Sequence, residues 1–341
     1  MFTITNFDPF EADGKAWEDY FGFNKAIATT SITIDEFKLW VKERQKGNDK
    51  KFQLVYLDGA LIVTVISFSK KDVSGNEMLF ISLDTIITGQ SIALSNTIAN
   101  TILRLTSNHR AGSFRISTAN PLVLDMIRSF KGKIINTINF YQLSRDHINE
   151  DVVKEWCINK YIETRELKLA VHEYVPEHLY ADYAGLLTLL MNDIERNDRT
   201  EYFEETVEKV KQKMTLFKST GVKMLTLILS DAEDRLVGLS IMLVYPGSIV
   251  ANQEMTGIIA PWRGKKLASY LKAMMTQETF KRFTGIEKIE TNCFDANKHM
   301  IRINQSIGFT LKEKSQQFEV SAENIRIFLT NGKIRKTPKG T

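Results

Sequence analysis

The residues best suited to chemistry lie in one short stretch. Thr256-Gly257-Ile258-Ile259 leads into Ala260-Pro261-Trp262-Arg263-Gly264-Lys265-Lys266 and then Leu267-Ala268. The first group reads as the end of a β-strand, the second as a Gly-containing turn, the third as the start of a helix. A strand, a turn and a helix in that order build an anion site. The amides of the first helical turn point outward without partners, and the helix dipole favours negative charge there. Arg263, Lys265 and Lys266 add formal positive charge around the same turn. A pyrophosphate is the ligand such a turn prefers. The turn is not a nucleotide P-loop, because Ile259 stands where that loop has its first Gly and Lys266, not Ser or Thr, follows Lys265. Nor does it fit G-x-G-x-x-G.

Further on, the chain reads Thr291-Asn292, then Asn297, Met300, Ile303-Asn304 and Gly308-Phe309. Arg263-Gly264-x-x-Leu267-Ala268 after a strand resembles the acyl-CoA loop of the GNAT superfamily of N-acetyltransferases. The later residues resemble that family's late strand, helix and closing Gly-Phe. Gln253–Phe309 holds these motifs in the family's order. The stretch from Met191-Asn192-Asp193 to Gly238 is similar to a tandem branch of the superfamily, in which two such domains share one chain.

The resemblance implies a mixed sheet that splits open at its middle, between the strand ending Gly257-Ile258-Ile259 and the strand near Asn292. Free amides near Ile258 would hold the thioester carbonyl and the oxyanion formed on it. Arg263, Gly264, Lys265, Lys266, Leu267 and Ala268 would hold the pyrophosphate, and Asn292, Asn297 and Met300 would line the pantetheine arm. Acetyl-CoA is the implied co-substrate. Its acetyl group passes directly to an amine, with no metal and no covalent enzyme intermediate, and most of the rate comes from positioning. The chain departs from the pattern at two positions. Lys266 stands where the family often has Gly or Ala. Asn304 stands where many members have a Tyr that protonates the leaving thiolate, and an asparagine donates hydrogen bonds but supplies no titratable proton.

A general base is expected on the strand before the loop, whose side chains alternate into the cleft. Glu254 is the candidate, since desolvation would raise a carboxylate toward the working range; a solvated strand carboxylate is the plainer reading. Tyr245 is the weaker alternative. Trp262 is read as packing at the sheet edge, Cys293 as a buried inert thiol and His299 as a helix-face residue.

The surrounding elements must place these groups. Phe52–Leu57 and Leu61–Phe68 flank Asp58-Gly59, a hairpin dipeptide. Leu79–Ile87, a helix over Ile92–Leu105, and strands at Ser113–Ser117 and Lys133–Leu143 complete the first half. Asp35-Glu36 opens a helix that ends near Gly47. The second half repeats the order: strand Leu167–Val175, helices Leu179–Leu190 and Thr200–Phe217, strands at 224–229, 236–244 and 249–258, helix Leu267–Phe283, strand Lys288–Asn292, helix Asn297–Ser306 and strand Phe309–Val320. Thr118–Arg128 echoes Thr291–Arg302, and Asp84–Ile87 echoes Met255–Ile259, at nearly one offset. The predicted fold is α+β: tandem acyl-CoA N-acyltransferase domains, each a mixed, mostly antiparallel sheet with helices on both faces. Residues 1–150 and 166–341 form the domains, with a linker around His147–Glu166. The first half has Thr88-Gly89-Gln90-Ser91-Ile92-Ala93 in place of the Arg-Gly turn, and is expected to have lost acyl-CoA binding.

Composition narrows the alternatives. The chain has 341 residues, 45 basic and 41 acidic, and a net charge of +4. It has no basic stripe interleaved with aromatics, so no nucleic-acid partner is expected; Lys333, Arg335, Lys336 and Lys339 read as a solvated tail. No apolar run reaches membrane length, and the first residues carry no secretory signal, so a cytoplasmic location and no membrane partner are expected. Two Cys and five His residues give neither a disulfide framework nor a zinc motif. The function expected is acetyl transfer to a primary amine of a small molecule in the C-terminal domain. The alternatives are a non-catalytic acyl-CoA sensor and a peptidyl- or aminoacyl-transfer enzyme. A homodimer is left open.

Overall fold

Asp58 and Gly59 both adopt positive φ, 50° and 86°, which a tight hairpin turn between twisted strands requires. The strands they join, β2 and β3, sit in the following order of elements in the computed structural model, which describes residues 1–27, 33–45, 50–87, 91–106 and 112–334. The first half runs β1 (Phe2–Phe7), α1 (Gly14–Ile27), α2 (Ile34–Gln45), β2 (Lys51–Leu57), β3 (Ala60–Lys71), β4 (Glu77–Thr85), α3 (Ile92–Thr106), β5 (Ser113–Thr118), α4 (Pro121–Ser129) and β6 (Lys133–Ser144). The second runs α5 (Glu150–Trp156), α6 (Lys160–Glu163), β7 (Lys168–Glu173), α7 (Tyr180–Asn192), α8 (Val207–Ser219), β8 (Lys223–Ser230), β9 (Leu236–Val244), β10 (Val250–Ile258), α9 (Leu267–Arg282), β11 (Lys288–Phe294), α10 (Lys298–Ile307), β12 (Thr310–Ser321) and α11 (Ala322–Ile334).

The chain divides into two compact units. Unit 1 holds 1–137, Thr200–Tyr202 and everything from Ser315; unit 2 holds 138–199 and 203–314. In unit 1 the strand order is β1-β2-β3-β4-β5 followed by the end of β12, with only β4 and β5 parallel. One face buries Ile98, Ile102, Ile127 and Phe318 beneath α3, α4 and α11. The other buries Phe7, Trp17, Tyr20 and Phe37 beneath α1 and α2. In unit 2 the order is β6-β11-β10-β9-β8-β7, with only β10 and β11 parallel. Its α9–α10 face buries Met242, Leu271, Ile289 and Ile303. Its α7–α8 face buries Leu187, Val210, Leu239 and Ile241. Each unit is thus a mixed, mostly antiparallel sheet with helices on both faces, and the fold class is α+β.

Three details differ from the sequence reading. The units divide at Ile138 and Ser315, inside β6 and β12, and not at 150 and 166. From Ile138 onward β6 pairs with β11 of unit 2, and from Gln316 onward β12 pairs with β5 of unit 1. The expected linker contains α5 and α6, which are capped by Asn149 and Asn159. The helix expected from Thr200 starts only at Val207. Glu201 bridges to Asp72, Asn192 exchanges hydrogen bonds with the backbone of Phe203, and Thr206 then caps α8 by accepting from Lys209 N. Lys333 lies in α11; Arg335, Lys336 and Lys339 lie outside the described residues, as do Thr88, Gly89 and Gln90. Among the described residues no helix is long and apolar enough to cross a membrane.

Candidate active site

Strands β10 and β11 pair in parallel only from Val250↔Lys288 to Gln253↔Thr291. Both run further, to Ile258 and Phe294, and each then pairs only with its outer neighbour. Met255 to Ile258 pair with Ile241 to Gly238 of β9, and Asn292 to Phe294 with Phe140 to Ile138 of β6. The facing edges beyond Gln253 and Thr291 therefore diverge and leave unpaired backbone groups along a wedge. Glu254 is the extra residue of a bulge between Gln253 and Met255, which bends β10 at the point where pairing stops. Thr291 Oγ1 donates to Gln253 O at 3.0 Å and ties the two strands at the fork.

The loop that follows β10 is built around two left-handed residues. Gly264 has φ 75° with nothing within 4 Å of where a side chain would begin, and Lys266 has φ 58°. The second value gives a physical reason for a glycine preference at the Lys266 position. Lys266 is the N-cap of α9 and makes no side-chain cap; the first helical bond runs from Tyr270 N to Lys266 O. The amides of Leu267, Ala268 and Ser269 therefore have no acceptor within the helix, and Ser269 lines the same cleft as Gly264. The other basic residues of the loop are held in place. Arg263 Nε donates to Ile258 O at 3.0 Å, and its guanidinium pairs with Asp193 at the end of α7. Lys265 Nζ lies 4.0 Å from the centroid of Trp262 and 4.8 Å from that of Tyr161, a cation over two rings worth about 0.5–1 kcal/mol when exposed. Asn159 Nδ2 donates to Lys265 O, which anchors the loop to α6. A cleft of about 470 Å³ lies here, with Trp156, Lys160 and Tyr161 on one side and Gly264 to Lys266 with Ser269 on the other.

The remaining sequence-predicted residues fall as follows. Ile258 is buried, and its Cδ1 would come within 2.4 Å of a side-chain carbon at Gly238, so that glycine makes its room. Gly257 lies against Leu190 and Met255, and Ile259 N donates to Val237 O. Glu254 and Asn292 are exposed, and Met300 is half-buried. Asn297 is the N-cap of α10, its Oδ1 accepting from Met300 N at 3.1 Å. Asn304 is fully buried, with Nδ2 4.0 Å from Cys293 Sγ and Oδ1 without a partner. Gly308 has φ 113°, and a side chain there would meet His147 O at 2.2 Å. Trp262 packs edge-on to Tyr161, His299 is exposed, and burial pushes the Cys293 thiol up to about 11.

Sequence reasoning missed a polar cluster at the fork. Gln253 Nε2 donates to Ser240 Oγ and Thr256 Oγ1, at 3.0 and 3.1 Å, while its Oε1 has no partner. Lys272 of α9 is buried, with Nζ 3.4 Å from Thr291 Oγ1 and 5.1 Å from the centroid of Phe309. Burial lowers this lysine to about 7, against an ordinary value of 10.5. Its signal in the sequence is a lysine on the otherwise small or apolar helical row Ala268, Lys272, Thr276, Thr279. Among the described residues no group of three or more His, Cys, Asp or Glu is placed to hold a metal ion.

In unit 1, β4 and β5 likewise pair in parallel only from Leu79↔Phe114 to Ser82↔Ser117, while β4 continues to Thr85. There Asn120 Nδ2 donates across the opening to Thr85 O at 3.4 Å.

No family model matches the chain, and no curated protein matches it. Solved structures do. A tandem GNAT protein from the clavulanic acid biosynthesis pathway, solved without AcCoA, superposes with a TM-score of 0.71 at 11% identity, over 94% of this chain and 99% of that one. A GCN5-related N-acetyltransferase from Sphaerobacter thermophilus gives 0.62 at 12% identity, over 94% and 96%. An N-myristoyltransferase from Saccharomyces cerevisiae, solved with myristoyl-CoA, gives 0.56 at 10% identity, over 94% and 80%. The strand splay, the uncapped helix and these superpositions converge: the chain has the tandem GNAT fold.

Proposed function

We propose that unit 2 is an acetyl-CoA-dependent N-acetyltransferase that passes the acetyl group to a primary amine of a small molecule by direct attack. The observation that carries this reading is the wedge between β10 and β11, whose β10 side leads through the short loop after Ile258 into the uncapped N-terminus of α9. The amides of Leu267, Ala268 and Ser269 bind the pyrophosphate, with Lys266 contributing charge. Arg263 serves by fixing the loop, since Ile258 O and Asp193 already occupy its guanidinium. The cleft beside Tyr161 and Lys265 takes the adenosine end. The pantetheine arm lies in the wedge and pairs with the free backbone edges beyond Gln253 and Thr291. Amides on the β10 side stabilise the oxyanion as the amine attacks. Glu254 at the bulge is the candidate base, and a bulge is a common device for re-aiming a side chain at an active site.

Unit 1 has no Arg-Gly turn, and Asn120 bridges its strand opening. We infer that it binds no acyl-CoA.

The test is to incubate the protein with acetyl-CoA and a panel of primary amines and to follow free thiol. Thiol release above the hydrolysis rate, with acetylated amine as product, supports the reading. Tight acetyl-CoA binding without transfer to any amine supports a sensor instead.

A further inference from the structure

We propose that Lys272 is the proton donor to the departing coenzyme A thiolate, the task that Asn304 has no proton to perform. This inference rests on the acetyltransferase reading above. Its geometric basis is the fork. Gln253 and Thr291 are the last residues through which β10 and β11 pair with each other, Thr291 Oγ1 donates to Gln253 O, and Lys272 Nζ reaches that same hydroxyl at 3.4 Å. The amine is thus one hydrogen bond from the apex of the wedge in which the thioester arm would lie.

The surroundings suit a proton donor. An ammonium carries three N–H donors, and among the described residues Lys272 Nζ makes one hydrogen bond, a long one. Gln253 Oε1 and Asn304 Oδ1 are buried acceptors without partners on the same face of the sheet. A buried thiolate is as costly as a buried ammonium, so the two species favour a proton passing between them. The titratable groups around the amine are few. On β11, Cys293 is held neutral by burial, and just past the strand's end Asp295 is bonded by Lys298 and Asn139, which lowers it from its ordinary value. On β6, burial raises Tyr141. Gln253 and Thr256 of β10, Asn304 of α10 and Phe309 carry no charge. Burial also lowers Lys272 itself to about 7, which brings release of its proton closer to neutrality.

The step balances as follows. The acceptor nitrogen's lone pair forms the C–N bond, and the carbonyl pair moves to oxygen. That pair returns as the C–S bond breaks, its electrons going to sulfur. A Lys272 N–H bond breaks and its proton joins sulfur, giving free coenzyme A. Water returns a proton to the neutral lysine, equal to the one the acceptor nitrogen releases.

The experiment measures the thiol of bound coenzyme A without relying on turnover. Ultraviolet thiolate absorbance is titrated with pH for the coenzyme A complex, and the same titration with desulfo-coenzyme A is subtracted to remove Cys157 and Cys293. In the native chain the bound thiol should ionise about one pH unit below free coenzyme A, roughly a tenfold gain in acidity. In K272M, which keeps the length and apolar stem, that shift should vanish. With an active amine, K272M should lower kcat about 100-fold while leaving KM for acetyl-CoA unchanged. A bound thiol in the native chain that ionises like free coenzyme A overturns the assignment even if K272M does not fold, and so does an identical titration in K272M. Calorimetry separates the two readings: no coenzyme A binding at all rejects the acyltransferase reading and Lys272 with it, whereas binding without the thiol shift rejects Lys272 alone.

Discussion

Arg263 and Asp193 face each other across 70 residues of sequence, an ion pair that fastens the anion loop to the end of α7. Both side chains are partly exposed, so the pair contributes on the order of 1 kcal/mol or less. Asp193→Asn and Arg263→Ala should each weaken coenzyme A binding by less than about tenfold, and the double variant should cost little more than either alone. Calorimetric binding of coenzyme A checks this. A strictly additive double variant would mean the two residues act on the ligand separately.

Gly264 leaves its Cβ position open but at a φ of 75°, which costs a residue with a side chain about 1–2 kcal/mol. Gly264→Glu adds a negative charge beside the α9 amides as well. It should lower the melting point by only a few degrees and abolish detectable acetyl-CoA binding. Unaltered affinity would contradict the loop assignment.

Lys272 makes stability depend on pH. Its folded value of about 7 lies below the ordinary 10.5. Between these values the unfolded chain holds a proton that the folded chain releases, so stability rises with pH across that window. Below about 7 both states are charged and the folded protein bears the full cost of burial. K272M removes the cost. It should be more stable than the native chain at neutral pH by a few kcal/mol, at about 1.4 kcal/mol per pKa unit, and the difference should shrink toward pH 10. Denaturant titrations at several pH values test the trend; a constant difference would show that the amine is not desolvated.

Glu254→Gln should depress turnover most steeply near neutrality and leave acetyl-CoA binding intact if Glu254 is the base. The measurement is the pH dependence of kcat/KM. An unchanged profile would remove Glu254 from the mechanism.

Gly308→Ala should destabilise unit 2 by roughly 2 kcal/mol or more, since it combines a φ of 113° with a 2.2 Å approach to His147 O. Thermal unfolding reads this directly, and a melting point within error of the native value would show that the backbone there yields easily.

The parts of the site that were legible in the sequence are those where backbone geometry dictates residue type. Gly264 and Gly308 mark left-handed turns, and Asn297 marks a helix start; their spacing outlined the loop, α10 and its close. Strand and helix periods placed most of both sheets for the same reason. The rest depends on pairings that no local period encodes. Asp193 meets Arg263, and Asn159 meets Lys265 O, only once the chain has folded. Thr200–Phe217 has a helical period, yet Thr200–Tyr202 joins unit 1 and Thr206 delays the helix. The fork lysine was hidden because a charged residue on a long helix normally faces water.

The exchange of strand ends also constrains how this protein is born and cut. β5 acquires its outer neighbour only from Gln316 onward, so on the ribosome the N-terminal sheet waits with a bare edge until nearly the whole polypeptide has been synthesised. No single break in the gene yields two self-sufficient halves. A fragment ending near residue 150 would lack that closing strand and carry a β6 end with no β11 to meet, and both exposures favour aggregation over solubility.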